Sequence, residues 1–169
     1  MYLSSLTPAA ALFLSLLTTT QAQVGEPQPL PDYNGWVFVY TGSEPNRGEW
    51  LGCLNQNAEW FRPERNSSCS TYVPREGGTI GYSSGTAPRL TLNNNNELVF
   101  DRGGRSTTWA QFHEGPEWMP RTDLLYLRPT TDGVPLGLTF EPSGVGLPAR
   151  LHPSQNFVYA LYLSLMPRD

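Results

Sequence analysis

The chain has 169 residues, with 15 acidic and 11 basic side chains and a net charge of −4. Every basic residue is an arginine, and these are scattered from Arg47 to Arg168. The sequence therefore lacks the basic patch that nucleic acids and anionic membranes require. Sixteen glycines, sixteen prolines and a charged fraction of 15% favour an extracellular β-rich domain over a helical one.

Residues 1–22 are predicted to be a secretory signal peptide. Ala9–Leu17 is apolar except for Ser15, and Thr20-Gln21-Ala22 has a small residue at each end, as a cleavage site does. A buried helix or a membrane anchor is the alternative, but the apolar run is shorter than the roughly 20 residues that a membrane span needs. We expect a secreted mature protein with no membrane partner.

A proline-rich arm is predicted next, at residues 23–34. It contains Pro27, Pro29 and Pro31. Proline fixes φ and lacks the amide donor, so an extended segment is favoured over a helix.

The remainder, residues 35–169, is predicted to form one β domain. Aromatic and β-branched runs alternate with turn residues about every 8–12 positions, the spacing typical of sandwiches and barrels. The clearest hairpin joins Arg89–Leu92 to Glu97–Phe100 through Asn93–Asn96. The other predicted strands are Trp36–Tyr40, Glu49–Leu54, Ala58–Arg62, Ser70–Val73, Thr79–Ser83, Thr107–Phe112, Asp123–Arg128, Val134–Phe140 and Phe157–Leu165.

The only two cysteines, Cys53 and Cys69, are predicted to form a disulfide, because an oxidising compartment makes pairing the default. A crosslink of this span removes about 3 kcal/mol of unfolded-state freedom. His113 and His152 lack the spacing of a zinc finger, so no metal or other cofactor is expected. No internal repeat is strong enough to indicate a propeller or a solenoid. The predicted fold class is all-β: a single-domain antiparallel β-sandwich or barrel with one disulfide.

One stretch resembles a known family. Thr79-Ile80-Gly81-Tyr82-Ser83-Ser84-Gly85, followed by a Leu-rich hairpin that ends in Val99-Phe100, is similar to the small secreted fungal cell-wall proteins related to PhiA. Val37–Ser43 resembles the first strand and Gly-Ser turn of that family. The resemblance covers about a third of the mature chain, and the relatives usually carry more cysteines. It implies a secreted or wall-associated fungal protein and brings no catalytic residue.

The densest ionisable group is His113, Glu114, Glu117 and Asp123. A histidine near carboxylates can bind a metal or act as a general base. The setting is loop-like and no helical spacing aligns the side chains, so a structural or solvated role is favoured. We therefore expect a non-enzymatic protein with no catalytic residue.

Two surface features are predicted instead. Asn66-Ser67-Ser68 is a glycosylation sequon, so Asn66 is the expected glycan acceptor. Four tryptophans lie near polar or Arg-bearing turns and form a possible carbohydrate-binding set for wall polysaccharide, although β-sandwich cores also consume tryptophan. These are Trp50, Trp60, Trp109 and Trp118.

Three functional hypotheses follow, in order of preference. The first is a non-enzymatic secreted protein of the fungal cell wall or surface. The second is a carbohydrate-binding, lectin-like module. The third is a small hydrolase or a secreted effector that acts on a host.

Overall fold

The computed structural model describes residues 26–42, 48–65, 69–82, 88–102, 107–112, 126–131, 134–136, 139–154 and 160–168. The predicted signal peptide at 1–22 lies outside these ranges. So does the first part of the predicted arm, since the description of 23–34 begins at Glu26.

The described residues are almost entirely β-structure, which confirms the predicted all-β class. A 3-10 turn, Glu76–Gly78, joins the fourth and fifth strands. The strands are β1 (Gly35–Thr41), β2 (Trp50–Leu54), β3 (Trp60–Phe61), β4 (Thr71–Arg75), β5 (Thr79–Tyr82), β6 (Arg89–Leu92), β7 (Leu98–Asp101), β8 (Thr108–Phe112), β9 (Tyr126–Thr131), β10 (Val134–Pro135), β11 (Thr139–Pro142), β12 (Leu151–Ser154) and β13 (Leu161–Pro167).

Strands β1 and β13 form the central ladder of the sheet. They pair antiparallel over seven positions, from Gly35 opposite Pro167 to Thr41 opposite Leu161. Side chains alternate between the two faces of a strand. Val37 and Val39 of β1 therefore point into the main core, where both are fully buried.

The sheet divides on both sides of this ladder. The edge of β1 that faces away from β13 pairs with β2 over Phe38–Tyr40 and with β4 at Gly35 and Trp36. The other edge of β13 pairs with β9 and, at Leu161, with β11. Among the described strands the path runs from β10 to β7 and is not closed, so of the two predicted architectures the sandwich fits.

These strands enclose one main hydrophobic core, to which eleven of them contribute. Its buried members are Val37, Val39, Leu54, Ala58, Tyr72, Ile80, Leu90, Leu98, Trp109, Leu127, Phe140, Leu151, Leu161, Leu163 and Leu165. A smaller group, which we call the tyrosine cluster, lies apart from this core. It consists of Tyr40, Tyr126, Ala160 and Tyr162, with Phe38, Trp50 and Met166 packed against it.

Three element boundaries differ from prediction because pairing partners set them. The predicted strand Val134–Phe140 is two strands, β10 and β11, which pair with different neighbours. Pro74 lies inside β4, opposite Ile80, beyond the two residues that pair β4 with β1. Proline has no backbone N–H group, but Pro74 does not pair with β1, so no hydrogen bond between β4 and β1 is lost there. The described last strand begins at Leu161 and extends to Pro167, which pairs with Gly35.

A backbone bridge joins the described part of the proline-rich segment to the domain. Gln28 N–H donates to the Gln111 carbonyl at 2.7 Å, and Gln111 N–H donates to the Gln28 carbonyl at 3.0 Å. The described part of the predicted arm therefore contacts the free edge of β8. No helix in the described ranges is long and apolar enough to cross a membrane.

Candidate functional site

The predicted disulfide between Cys53 and Cys69 is confirmed, with a Cα–Cα distance of 5.8 Å. Cys53 lies in β2, and Cys69 lies two residues before β4. Both cysteines are buried. The bond thus fixes the segment that enters β4 against the hairpin of β2 and β3.

The turn of that hairpin is held by one side chain. Asn55 Oδ1 accepts hydrogen bonds from the backbone N–H groups of Asn57 at 2.8 Å and Glu59 at 3.0 Å. Its Nδ2 donates to Glu59 Oε2 at 3.1 Å. Tyr72, buried beneath, donates from its hydroxyl to the Asn55 carbonyl at 3.0 Å. The turn therefore has a fixed backbone.

The hairpin of β6 and β7 has the same turn. Asn93 Oδ1 accepts from the N–H groups of Asn95 at 2.9 Å and Glu97 at 2.8 Å, and its Nδ2 donates to Glu97 Oε2 at 3.0 Å. The sequence signal is Leu-Asn-x-Asn-x-Glu, present at 54–59 and again at 92–97. This short repeat was not predicted from the sequence, because only a six-residue motif recurs and the strands that flank it differ in sequence.

An open cleft of about 550 Å³ lies beside the first turn and the disulfide, and we call it the disulfide cleft. Its aromatic walls are Phe61 and Tyr82, both half-buried, and exposed amides of Gln56 and Asn57 stand at its rim. None of the described residues that line it carries a charge. They are Asn55, Gln56, Asn57, Phe61, Cys69, Ser70, Thr71, Tyr82 and Pro148.

The hairpin of β11 and β12 brings charged groups to the neighbourhood of both turns. Arg150 Nη2 lies 3.7 Å from Glu59 Oε1, and His152 Nε2 lies 3.7 Å from Glu141 Oε2. Trp60 and Ala149 exchange backbone hydrogen bonds of 2.7 and 2.8 Å, which fixes Arg150 beside the first turn.

These groups change the pKa of the Glu97 carboxyl group in the second turn. The hydrogen bond from Asn93 lowers the pKa of Glu97, and partial desolvation opposes that effect. A hydrogen bond from Ser143 and the charges of Arg150 and His152 lower it further. The second turn is therefore stabilised when Glu97 is ionised.

Three tryptophans of the predicted set are described, and they do not share one surface. Trp109 is 2% exposed, donates from Nε1 to the Leu90 carbonyl at 3.0 Å and stacks on Phe140 at 6.4 Å. Trp109 is thus a core residue, as the alternative interpretation of these tryptophans held, and no ring face remains for a sugar. Trp60 is half-buried against the same core, whereas Trp50 packs edge-on against Phe38 in the tyrosine cluster.

Several predicted site residues lie outside the described ranges. They are Asn66, His113, Glu114, Glu117, Trp118 and Asp123. Among the residues that the structure does describe, no group of three or more His, Cys, Asp or Glu side chains is arranged to hold a metal ion.

The aromatics of the disulfide cleft were not among the predicted site residues. Phe61 was assigned to a strand and Tyr82 to the family-like segment, and only the sheet register brings them to one cleft. Phe61 pairs with Cys53, and Tyr82 pairs with Tyr72.

No known protein family, no curated protein and no solved structure matches this chain. The likeness to the PhiA-related proteins stays a prediction.

Proposed function

We propose that this chain is a non-enzymatic secreted protein of the fungal cell wall or surface. The observation that carries the proposal is the Cys53–Cys69 disulfide, which pairs the only two cysteines. Disulfides persist in oxidising compartments and are rare in the cytosol, where thiols are kept reduced. The predicted signal peptide at 1–22 and the PhiA-like segment support the same location.

Fractionation of the producing cells tests this proposal. Extracts of cytosol, cell wall and culture medium are prepared under alkylation of free thiols, and the protein is located and its mass measured. We expect the processed chain, with Cys53 and Cys69 unmodified by the alkylating reagent, in the wall or the medium. Full-length chain confined to the cytosol, with two alkylated cysteines, contradicts the proposal.

A second candidate function is the binding of a neutral saccharide in the disulfide cleft. The described residues that line the cleft carry no charge, which favours a neutral ligand. Phe61 and Tyr82 offer aromatic surface, and Gln56 and Asn57 offer exposed amides for hydroxyl groups. The cleft volume lies in the range that is usual for ligand pockets, and its lining combines two aromatic rings with several polar side chains.

The structure also offers a preorganised rim. Because the Asn55 side chain holds the turn, Gln56 and Asn57 project from a backbone that needs no further ordering on binding. Cys69, Ser70 and Thr71 form the facing wall, which the disulfide fixes.

Titration calorimetry with neutral chitin and β-glucan oligosaccharides tests the second candidate. The double variant Gln56→Ala/Asn57→Ala should weaken binding at least tenfold. Asn94→Ala/Asn95→Ala changes the equivalent exposed positions of the second turn and should leave affinity unchanged, so it is the matched control. Absence of heat with the wild type, or equal losses in both double variants, contradicts binding in the disulfide cleft.

A further inference from the structure

Arg128 is a buried cation that the proposed function does not use. It lies near the middle of β9, 4% exposed, and its Nε and Nη1 atoms are buried. No residue in the described part of the chain accepts a hydrogen bond from either nitrogen. Side chains on one strand alternate between faces, so Arg128 shares a face with Tyr126 and projects on the side of the tyrosine cluster.

The described neighbours of Arg128 are aromatic rather than acidic. Its Cζ lies 5.0 Å from the centre of the Phe112 ring, and Tyr162 of β13 is close enough to interact with its charge. Across the ladder, Arg128 pairs with Ala110 of β8. A cation–π contact offsets only part of the cost of taking a guanidinium out of water.

The charge remains on Arg128 despite this setting. Burial lowers the pKa of the Arg128 guanidinium, but arginine starts from a pKa above about 12 and stays protonated in proteins. A buried guanidinium is normally satisfied by carboxylate or phosphate oxygens. The ion pair of Arg150 with Glu59 and the contact of His152 with Glu141 lie elsewhere in the described part of the chain.

We infer that Arg128 anchors a binding site for a small oxyanion, a ligand that carries carboxylate, phosphate or sulfate oxygens. Nε and Nη1 are the donors, and the Phe112 ring supports the guanidinium from one face. The ligand stabilises the native state because the unfolded chain presents Arg128 to water and has no such site.

Urea unfolding of the full chain tests this inference. Unfolding and refolding at equilibrium expose the site, so the ligand can reach it however deeply it is buried. Urea is preferred to guanidinium chloride, whose cation competes with the Arg128 side chain for the anion. Acetate, glucuronate, phosphate and sulfate are titrated at constant ionic strength. A response to acetate or glucuronate indicates an organic acid as the ligand, and a response to phosphate or sulfate indicates an inorganic ion.

We expect at least one arm to raise the urea midpoint of the wild type saturably, by about 1 M at a hundredfold excess over the dissociation constant. Arg128→Met should abolish the saturable shift and, without anion, be at least as stable as the wild type, because it removes an unpaired buried charge. Arg150→Met, which loses a partly exposed arginine paired with Glu59, should respond like the wild type and controls for general salt effects.

If Arg128→Met does not fold, the inference is tested on the wild type alone. The Nε–H resonance of Arg128 is then followed by NMR during the same titrations, with the other arginines as internal references. A saturable change confined to Arg128 supports the inference. No selective change with any of the four anions overturns it, as does an equal midpoint shift in the wild type and Arg128→Met.

Discussion

Asn55 and Asn93 make the same three side-chain hydrogen bonds in two hairpin turns of equal length. The strands on either side are in the same register, since Leu54 pairs with Trp60 and Leu92 with Leu98. The fourth residue of each turn, Ala58 or Asn96, has φ of 60°. The chain therefore uses one hairpin unit twice, once beside the disulfide cleft and once away from it.

Replacing either asparagine should cost similar stability. Asn55→Ala and Asn93→Ala each leave two backbone N–H groups without their side-chain acceptor, so we expect a loss of about 1–2 kcal/mol in the free energy of unfolding. Urea unfolding measures it. Asn94→Ala removes an exposed side chain of the same turn and should change stability by less than about 0.5 kcal/mol. A loss in Asn94→Ala as large as that in Asn93→Ala would refute this role.

The second turn should also make stability depend on pH. Because the folded-state pKa of Glu97 is lowered, its contribution is present above the unfolded value of about 4.3 and is lost as the pH falls through the folded pKa. Asn93→Ala removes the largest cause and should raise the pKa of Glu97 towards its ordinary value. NMR titration of the Glu97 carboxyl carbon measures the change. An unchanged pKa in the variant would show that Asn93 is not the cause.

The disulfide should contribute about 3 kcal/mol to the free energy of unfolding, since it joins residues 16 positions apart. We expect this loss in Cys53→Ala/Cys69→Ala, measured by urea unfolding at neutral pH. The wild type unfolded in the presence of a reducing agent provides the matched comparison. A double variant as stable as the oxidised wild type would show that the crosslink does not stabilise the fold.

Gly52 should not tolerate a side chain. It has φ of 147° next to a bulge in the pairing of β1 and β2, and a Cβ atom there would collide with the Phe61 carbonyl oxygen. Gly52→Ala should cost at least about 2 kcal/mol and disturb the wall of the disulfide cleft. Gly144→Ala, in open surroundings, should be tolerated. Thermal unfolding separates the two, and equal midpoints would contradict the steric argument.

Local patterns were sufficient to predict much of this fold. The run of aromatic and β-branched residues at Trp36–Tyr40 predicts β1, and the four asparagines between two apolar segments predict the β6–β7 hairpin. Each of these signals lies within a few residues of chain. The Cys53–Cys69 bond was predictable because the chain offers no other pairing.

Long-range register explains what the sequence did not predict. Leu151–Ser154 contains His152 and Pro153 and has no strand pattern, and it is a strand because β11 pairs with all four residues. The burial of Trp109 depends on Leu90 and Phe140, which come from distant strands. The disulfide cleft likewise joins residues between Asn55 and Pro148. The local sequence periodicity does not predict contacts between residues that lie so far apart in the chain.

The ladder between β1 and β13 also sets the order of events during synthesis. The strand at Gly35–Thr41 leaves the ribosome early, but its long partner, Leu161–Pro167, is made more than a hundred residues later. Until then Val37 and Val39 cannot complete their core, and the nascent chain presents an apolar strand that invites aggregation. We therefore expect incomplete chains that lack Leu161–Pro167 to aggregate more readily than the full-length chain.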